Sequence, residues 1–207
     1  MAIPYEQTGR RNQKARTRDA LVAAARTLLA DGLTPTVEEA AAAAAVSRTT
    51  AYRYFRNQHA LIGAAHPEID QASLLPPDGP DDPMARLDLV LQASGRIVVE
   101  WEPQLRASLR LSLEPGGDPT GPVLRRGRVI GWLLDALAPI APIRPDLDLR
   151  RMAIAIRSAT GIESFIWLVD VAHLTRDEAL RLMRENGHAI LRAAMDGDGF
   201  RHPDART

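Results

Sequence analysis

Cysteine is absent from the sequence, and Lys14 is its only lysine. The absence of cysteine excludes disulfides, thiol catalysis and cysteine–zinc sites. Long apolar runs are also missing: none approaches the roughly 20 residues that span a bilayer, and no apolar stretch follows the N-terminal arginines as in a signal peptide. We therefore expect a soluble, cytoplasmic protein without a membrane partner.

The sequence also lacks the usual signatures of catalysis. No two of its five histidines have the i, i+4 spacing that suits metal binding on one helix face, and there is neither a glycine-rich phosphate loop nor a nucleophile elbow. Glu100 and Glu102 flank Trp101 on opposite faces of a predicted helix, so they do not form a catalytic pair. We expect no enzymatic activity, no metal and no cofactor.

The composition is typical of a globular protein, since 45% of the 207 residues are apolar and 25% are charged. The length suits a small module followed by a larger domain, or one domain of middling size. The net charge is zero, but residues 1–58 hold nine basic against five acidic side chains, and the rest hold 17 against 21. A positive first segment favours contact with phosphates, although the imbalance is modest.

Apolar periodicity predicts an all-α fold of about nine helices, without strands. The predicted helices cover residues 12–31, 37–44, 48–55, 58–66, 84–101, 103–113, 123–138, 148–172 and 176–195, and residues 1–11 are predicted to be a loose basic arm. We place one domain at 12–65 and a second helical domain at 66–200. Helix boundaries are indicated by Gly32 as a stop, by Ser47 and Asn57 as N-caps, and by capping boxes at Thr36–Glu39 and Thr175–Glu178.

The segment from Thr36 to Leu61 predicts a helix-turn-helix. Alanines in its first helix permit close packing of the second, in which Ala51 and Phe55 would face inward. The opposite surface presents Arg48 with Tyr52, and Thr49 with Arg53, each pair one turn apart. Such a surface suits DNA, because arginine pairs with guanine edges, threonine methyls meet thymine, and hydroxyls meet phosphate oxygens.

The residues predicted to contact DNA are Thr36, Ser47, Arg48, Thr49, Thr50, Tyr52, Arg53, Tyr54 and Gln58. Arg16 and Arg18, at the start of the first helix, fit phosphate contact and a solvated face equally well. The plain structural alternative is that Tyr52, Tyr54 and Phe55 form a small aromatic core.

The stretch from Val46 to Phe55, VSRTTAYRYF, followed by Leu61, resembles the signature of the tetracycline-repressor family of bacterial regulators. The resemblance covers about residues 15–65. Three positions depart from it: Ala45 and Thr49 stand where glycine is common, and Gln58 stands where lysine is common. The family resemblance implies that residues from about 66 onward form a helical domain for dimerisation and small-molecule binding, and that ligand binding shifts the helix at 58–66.

Two residue sets in that second domain follow from its apolar faces. One is a candidate dimer interface on the last two helices, formed by Gly161, Phe165, Ile166, Leu180, Met183, Gly187, Ile190 and Leu191. The other is a candidate ligand pocket lined by Met84, Trp101, Leu105, Leu109, Trp132, Leu133 and Leu137. Both sets are also consistent with an ordinary core. Arg96, Arg106 and Arg110 suit an anionic ligand, but a solvated helix face explains them better.

Together these patterns predict a nucleoid-associated DNA-binding transcriptional regulator, in the first place a repressor, that acts as a homodimer on a palindromic operator and is released by an unknown small-molecule effector. The alternative is a ligand-binding helical dimer whose DNA-reading surface is weakened or lost. The sequence leaves open whether the regulator represses or activates.

Overall fold

A computed structural model describes residues 5–65, 71–113, 128–197 and 199–201, with side chains from Asn12 onward. Its α-helices are α1 (Tyr5–Ala30), α2 (Val37–Ala43), α3 (Arg48–Tyr54), α4 (Gln58–Ala65), α5 (Pro83–Glu100), α6 (Glu102–Leu113), α7 (Arg128–Leu137), α8 (Leu149–Thr160), α9 (Ile162–Ile166) and α10 (Arg176–Asp196). A 3₁₀ turn, Ala138–Ile140, follows α7, and a π-helical segment, Trp167–Val171, follows α9.

The all-α prediction is confirmed. Within the described ranges there is no strand, and the only extended pairing is an isolated bridge between Leu147 and Arg201. When the interrupted run 149–171 is counted as one helix, the described part of the chain has nine, as the periodicity predicted. The loose arm predicted for residues 1–11 is wrong from Tyr5 onward, because α1 already begins there. The predicted start of α7, residues 123–127, lies outside the described residues.

The chain divides into two compact units. The N-terminal unit comprises residues 1–70 and 103–126, and the C-terminal unit comprises residues 71–102 and 127–207. The first unit therefore includes most of α6, which the sequence analysis had placed in the second domain. The packing explains this assignment, because Ala107 and Leu111 of α6 are buried in the same apolar cluster as residues of α1, α2 and α4. Apolar periodicity along α6 indicates a buried face but not the core that covers it.

The N-terminal unit has one core formed by α1–α4 and α6. Its largest fully buried side chains are Leu21, Leu29, Leu61 and Ile62. Two polar contacts hold α4 within it: the Arg26 side chain donates to the carbonyl of Ala65 at 2.8 Å, and a ring nitrogen of His59 lies 3.2 Å from the carbonyl oxygen of Leu111. Helix α1, which precedes α2 and α3 in the chain, and helices α4 and α6 are thus fixed to the same core as α2 and α3.

The end of α1 confirms the predicted stop. Gly32 has a φ of +80°, the left-handed conformation that glycine adopts without steric cost. The amide of Leu33 then donates to the carbonyl of Leu28 at 3.0 Å, as in a Schellman motif. The chain consequently leaves α1 in a fixed direction toward Thr36, the N-cap of α2.

The C-terminal unit is built around α5, α7, α8 and α10. Its core contains Leu87, Leu133, Met152, Ile156 and other fully buried apolar side chains. Asp82, Asp148 and Thr175 cap α5, α8 and α10 by accepting from backbone amides three residues later. Gly187 lets α10 approach α5, since a Cβ at this position would come within 2.6 Å of a methyl carbon of Leu91.

The run 149–171 was predicted as one helix but is interrupted at Gly161, which has an extended backbone and caps α9. The run is long and apolar enough to cross a membrane by length and composition, with a mean hydropathy of 1.4, and 44% of the apolar window is buried within the protein. A core helix passes the same test, and an ion pair between Arg157 and Glu163 spans the interruption at 2.9 Å. The absence of a membrane partner stays a prediction.

Candidate nucleic-acid interface

The helix-turn-helix is formed by α2, α3 and the turn Ala44–Ser47. Thr36 and Glu39 form the predicted capping box at the start of α2, and Ser47 caps α3 by accepting from the amide of Thr50 at 3.3 Å. Asn57, the third predicted cap, accepts from the amide of Ala60 at 2.8 Å. These caps satisfy amides that the first helical turns leave without a partner, so each short helix begins at a residue that the sequence specifies.

The turn between the two helices places a non-glycine residue in the left-handed region. Ala45 has a φ of +54°, at the position where the resembled family commonly has glycine. The turn closes when the amide of Val46 donates to the carbonyl of Ala41 at 2.9 Å. A left-handed alanine costs about 1–2 kcal/mol, so this turn stores local strain that the surrounding packing holds in place.

Small side chains let α3 lie close to α2. Ala40, Ala41 and Ala51 are buried, as is Phe55 at the end of α3. The inward-facing pair Ala51 and Phe55 is therefore confirmed. The guanidinium of Arg18 lies 5.7 Å from the centre of the Phe55 ring, which places this α1 arginine beside the C-terminal end of α3.

The outer face of α3 presents Arg48, Thr49, Tyr52 and Arg53, which we call the reading surface. All four are exposed, and the Arg48 side chain retains 74% of its accessible area. The first two lie in the first turn of α3, and Tyr52 and Arg53 lie one turn later on the same sides. The predicted juxtaposition of two arginines, a threonine and a tyrosine on one open helix face is present.

Glu38 of α2 contacts this surface, although it is not among the residues predicted to contact DNA. One of its carboxylate oxygens, Oε1, accepts from the Tyr52 hydroxyl at 2.7 Å and lies 2.9 Å from Nη2 of Arg48. The Arg48 guanidinium also lies 5.8 Å from the centre of the Tyr52 ring. Glu38 and Tyr52 are 14 residues apart, so only the angle between α2 and α3 brings them together.

The contact shifts the pKa of Glu38 and that of Tyr52 in opposite directions. The hydrogen bond from the Tyr52 hydroxyl, together with the nearby Arg48 charge, lowers the pKa of Glu38 below its ordinary value. The same hydrogen bond and the carboxylate charge raise the pKa of Tyr52. At neutral pH the cluster therefore holds an ionised carboxylate and a protonated phenol.

The other predicted DNA-contacting residues have structural partners. Thr36 and Ser47 are caps, and the hydroxyl of Ser47 also donates to the hydroxyl oxygen of Thr50 at 2.8 Å. The ring of Tyr54 is half-buried and packs against the apolar core. The Gln58 side-chain amide donates to the carbonyls of Thr34 and Pro35, at 3.0 and 3.1 Å. Gln58 therefore ties the loop before α2 to the start of α4.

The predicted pocket residues are divided between the two units of the chain. Trp132, Leu133 and Leu137 are buried in the core of the C-terminal unit, with Met84 packed against it. Trp101 is partly buried in that unit, whereas Leu105 and Leu109 of α6 belong to the N-terminal unit. The Trp132 indole instead donates to the carbonyl of Gln71 at 3.0 Å, as expected for a core tryptophan whose polar atom needs a partner.

A cleft of about 290 Å³ lies elsewhere in the C-terminal unit, between α5, α8 and α10. Its apolar wall contains Leu91, Leu180 and Met183, and exposed arginines line it together with one carboxylate, that of Asp177. The three arginines are Arg96, Arg181 and Arg184. Of these, Arg184 also pairs with Asp88 at 3.2 Å. Arg96 was one of three arginines suited to an anionic ligand, and it lines this cleft, whereas Arg106 and Arg110 do not.

The predicted dimer residues divide into two groups. Phe165, Met183, Gly187 and Leu191 are buried within the protomer, and Gly161 is covered by the side chain of Arg157. All five positions are therefore buried without a partner subunit. Ile166, Leu180 and Ile190 are half-buried, so their place in a dimer interface stays a prediction. The large apolar side chains exposed on the run 149–171 are instead Ile154, Trp167 and Val171.

Metal-binding geometry is not found in the described ranges, where no three histidine, aspartate or glutamate side chains converge. In comparisons with known proteins, no family model matches the chain, and neither a curated protein nor a solved structure matches it significantly.

Proposed function

We propose that this protein is a sequence-specific DNA-binding transcriptional regulator that acts as a homodimer. The observation that carries the proposal is the reading surface: Arg48, Thr49, Tyr52 and Arg53 lie on the open face of α3, whose opposite face packs on α2. In helix-turn-helix proteins the N-terminal residues of the second helix reach base edges in the major groove. The resemblance of residues 46–55 to the tetracycline-repressor signature supports the same function.

The side chains of the reading surface divide by the contact that each suits. Arg48 and Thr49, in the first turn of α3, suit base edges, because a guanidinium pairs with both acceptors of guanine and a threonine methyl meets a thymine methyl. Tyr52 and Arg53 suit phosphate oxygens, which fix orientation without reading sequence. Arg18, beside Phe55, supplies a further exposed cation in the same unit.

A homodimer follows from the size of this surface. The seven residues of α3 contact few base pairs, whereas two copies related by a twofold axis read a palindrome. The exposed side chains of Trp167 and Val171, four residues apart in the π-helical segment, support a self-association surface at the end of the run 149–171, because large apolar groups exposed side by side commonly mark an interface.

The cleft between α5, α8 and α10 supports an effector that is small, partly apolar and anionic. Leu91, Leu180 and Met183 supply apolar contact, and the three arginines outnumber the single carboxylate at its edge. Binding there would favour a conformation of lower DNA affinity, which is the effect expected of an inducer.

A second function, a ligand-binding dimer with a weakened DNA-reading surface, is favoured by two observations. Gln58 stands where the resembled family commonly has lysine, and its side-chain amide already donates to two backbone carbonyls. In addition, Glu38 places a negative charge beside Arg48. Both features reduce the attraction for phosphates, so the two functions differ in a measurable quantity, namely DNA affinity.

Selection of binding sites from a random duplex pool tests the proposal. The selection is run at about 50 mM salt, where phosphate contacts are strong, and the enriched sequences are then titrated with salt. We expect an enriched palindrome whose affinity falls steeply as salt rises. A pool that shows no enrichment would contradict the regulator and favour the ligand-binding dimer.

A further inference from the structure

Glu38 is a carboxylate placed among the groups that would contact DNA. It lies in the first turn of α2, where a negative charge is favourable at the helix N-terminus. The capping box there uses Glu39, so Glu38 is not needed for the cap. Its side chain turns instead toward α3, where a single oxygen accepts from Tyr52 and pairs with Arg48.

We propose that Glu38 is an internal competitor of DNA, which holds Arg48 and Tyr52 in the free protein and must release them when DNA binds. This inference rests on the DNA-binding function proposed above. It assigns to Glu38 a regulatory role in that interface: the residue limits affinity for any duplex, so that only a site making the full set of contacts is bound tightly.

The competition is strict for Tyr52. A tyrosine hydroxyl has a single hydrogen, so the phenol cannot donate to Glu38 and to a phosphate oxygen at the same time. At 2.7 Å the bond to the carboxylate is short, as charge-assisted bonds are. Docking on DNA therefore exchanges one anionic acceptor for another, with little net gain from the hydroxyl.

The competition is partial for Arg48. Its guanidinium has five N–H donors, and Nη2 is the atom closest to Glu38. Bidentate pairing with guanine uses two donors in one plane, which requires the guanidinium to turn away from the carboxylate or to share an edge with it. In either case the Glu38 carboxylate remains close to the negatively charged phosphate backbone of the DNA after the Tyr52 hydroxyl has left this carboxylate.

The test compares the wild-type chain with Glu38→Gln and Asp31→Asn on the same selected duplex and on a scrambled duplex. Asp31 is an exposed carboxylate just after α1 in the same unit, so its variant matches the change in net charge. We expect Glu38→Gln to raise affinity for both duplexes by about threefold to tenfold and to steepen the salt dependence. The Asp31→Asn variant should change affinity less than twofold.

A titration without DNA checks the contact itself. The phenol absorbance of the wild type, Glu38→Gln and Tyr52→Phe is followed against pH, and the Tyr52→Phe difference isolates the Tyr52 transition. We expect Glu38→Gln to lower the pKa of Tyr52 toward its ordinary value, because a neutral and weaker amide acceptor replaces the charged carboxylate.

The outcomes distinguish a failure of the proposal that Glu38 competes with DNA from a failure of the proposed DNA-binding function. If the wild type binds the selected duplex and Glu38→Gln binds it equally or more weakly, the competitor is wrong and the DNA-binding function stands. A loss of preference at one base pair in Glu38→Gln would likewise overturn the competitor, because it would make Glu38 a base-reading residue. An equal gain in Asp31→Asn would assign the effect to net charge. If none of the chains binds any duplex, the proposed function fails, and the competitor fails with it.

Discussion

The reading surface and the arginine-lined cleft are built over different distances along the chain. Glu38 and the four residues of the reading surface lie within residues 38–53, on two short helices joined by a single turn. The cleft takes residues from α5, α8 and α10, from Leu91 to Arg184. The first site depends on caps and a tight turn, whereas the second depends on helices that only the folded core brings together. The two sites should therefore respond to different mutations.

The largest effect should follow from truncating the core behind the second site. Leu137 is fully buried, so Leu137→Ala should lower the free energy of unfolding of the C-terminal unit by about 2–5 kcal/mol, through lost burial and a cavity. All three tryptophans lie in that unit, so their fluorescence during urea unfolding reports it.

Leu180, which is half-buried at the cleft, provides the matched control. Leu180→Ala should cost clearly less than Leu137→Ala, because solvent can occupy the space that it leaves. Equal losses for the two variants would mean that the cleft is closed in solution and that its wall is core.

The next effect concerns the reading surface. Arg48→Ala should weaken binding to the selected duplex by about 1–3 kcal/mol, the usual discrimination of a bidentate arginine–guanine pair. Fluorescence anisotropy with a labelled duplex measures the change. Arg150→Ala, an exposed arginine of α8 in the other unit, removes the same charge. A loss in Arg150→Ala as large as that in Arg48→Ala would show that binding depends on overall charge instead of on α3.

A smaller effect should arise in the turn that joins α2 to α3. Because Ala45 is left-handed, Ala45→Gly should stabilise the N-terminal unit by about 0.5–1 kcal/mol, since relief of the backbone strain exceeds the added entropy of the unfolded chain. Helical circular dichroism during urea unfolding measures it.

The neighbouring residue gives the control for this turn. Ala44 has a φ of −86°, which suits alanine, so Ala44→Gly should destabilise the unit. If both variants destabilise it, the turn in solution does not have a left-handed residue at position 45.

The smallest effect should be a pH dependence at the cap of α10. The Thr175 hydroxyl and amide donate to Glu178 and lower the pKa of this carboxyl from its ordinary value of 4.5. A lowered folded-state pKa means that the stabilisation is fully present above the ordinary value and is lost as pH falls through the folded value.

Glu178→Gln should therefore lower stability slightly at neutral pH and flatten the pH dependence of thermal unfolding below pH 4.5, because the neutral amide lacks the stabilisation that the wild type loses only in acid. Asp177→Asn, at the adjacent exposed position, is the charge-matched control. An unaltered pH profile in Glu178→Gln would show that the capping box contributes nothing measurable to the acid stability of the unit.

The local features were the ones open to prediction. The four predicted N-caps at Thr36, Ser47, Asn57 and Thr175 are present, and so are the stop at Gly32 and the inward pair Ala51 and Phe55. Each depends on contacts between residues that are at most five apart, or on a helical period that the sequence displays directly. Most of the helices and the outward face of α3 could be predicted on the same basis.

The tertiary structure decided how those helices are used. An apolar stripe shows that a helix face is buried but not against what, so the sequence could not distinguish core from pocket for Trp132 and Leu137, or core from dimer interface for Phe165 and Leu191. Likewise, no pattern in the sequence relates Glu38 to Tyr52. The sequence alone determined where helices begin and end, because that depends on neighbouring residues. The fold determined which core α6 joins, where the cleft opens and what Arg48 contacts, because those depend on packing between distant segments.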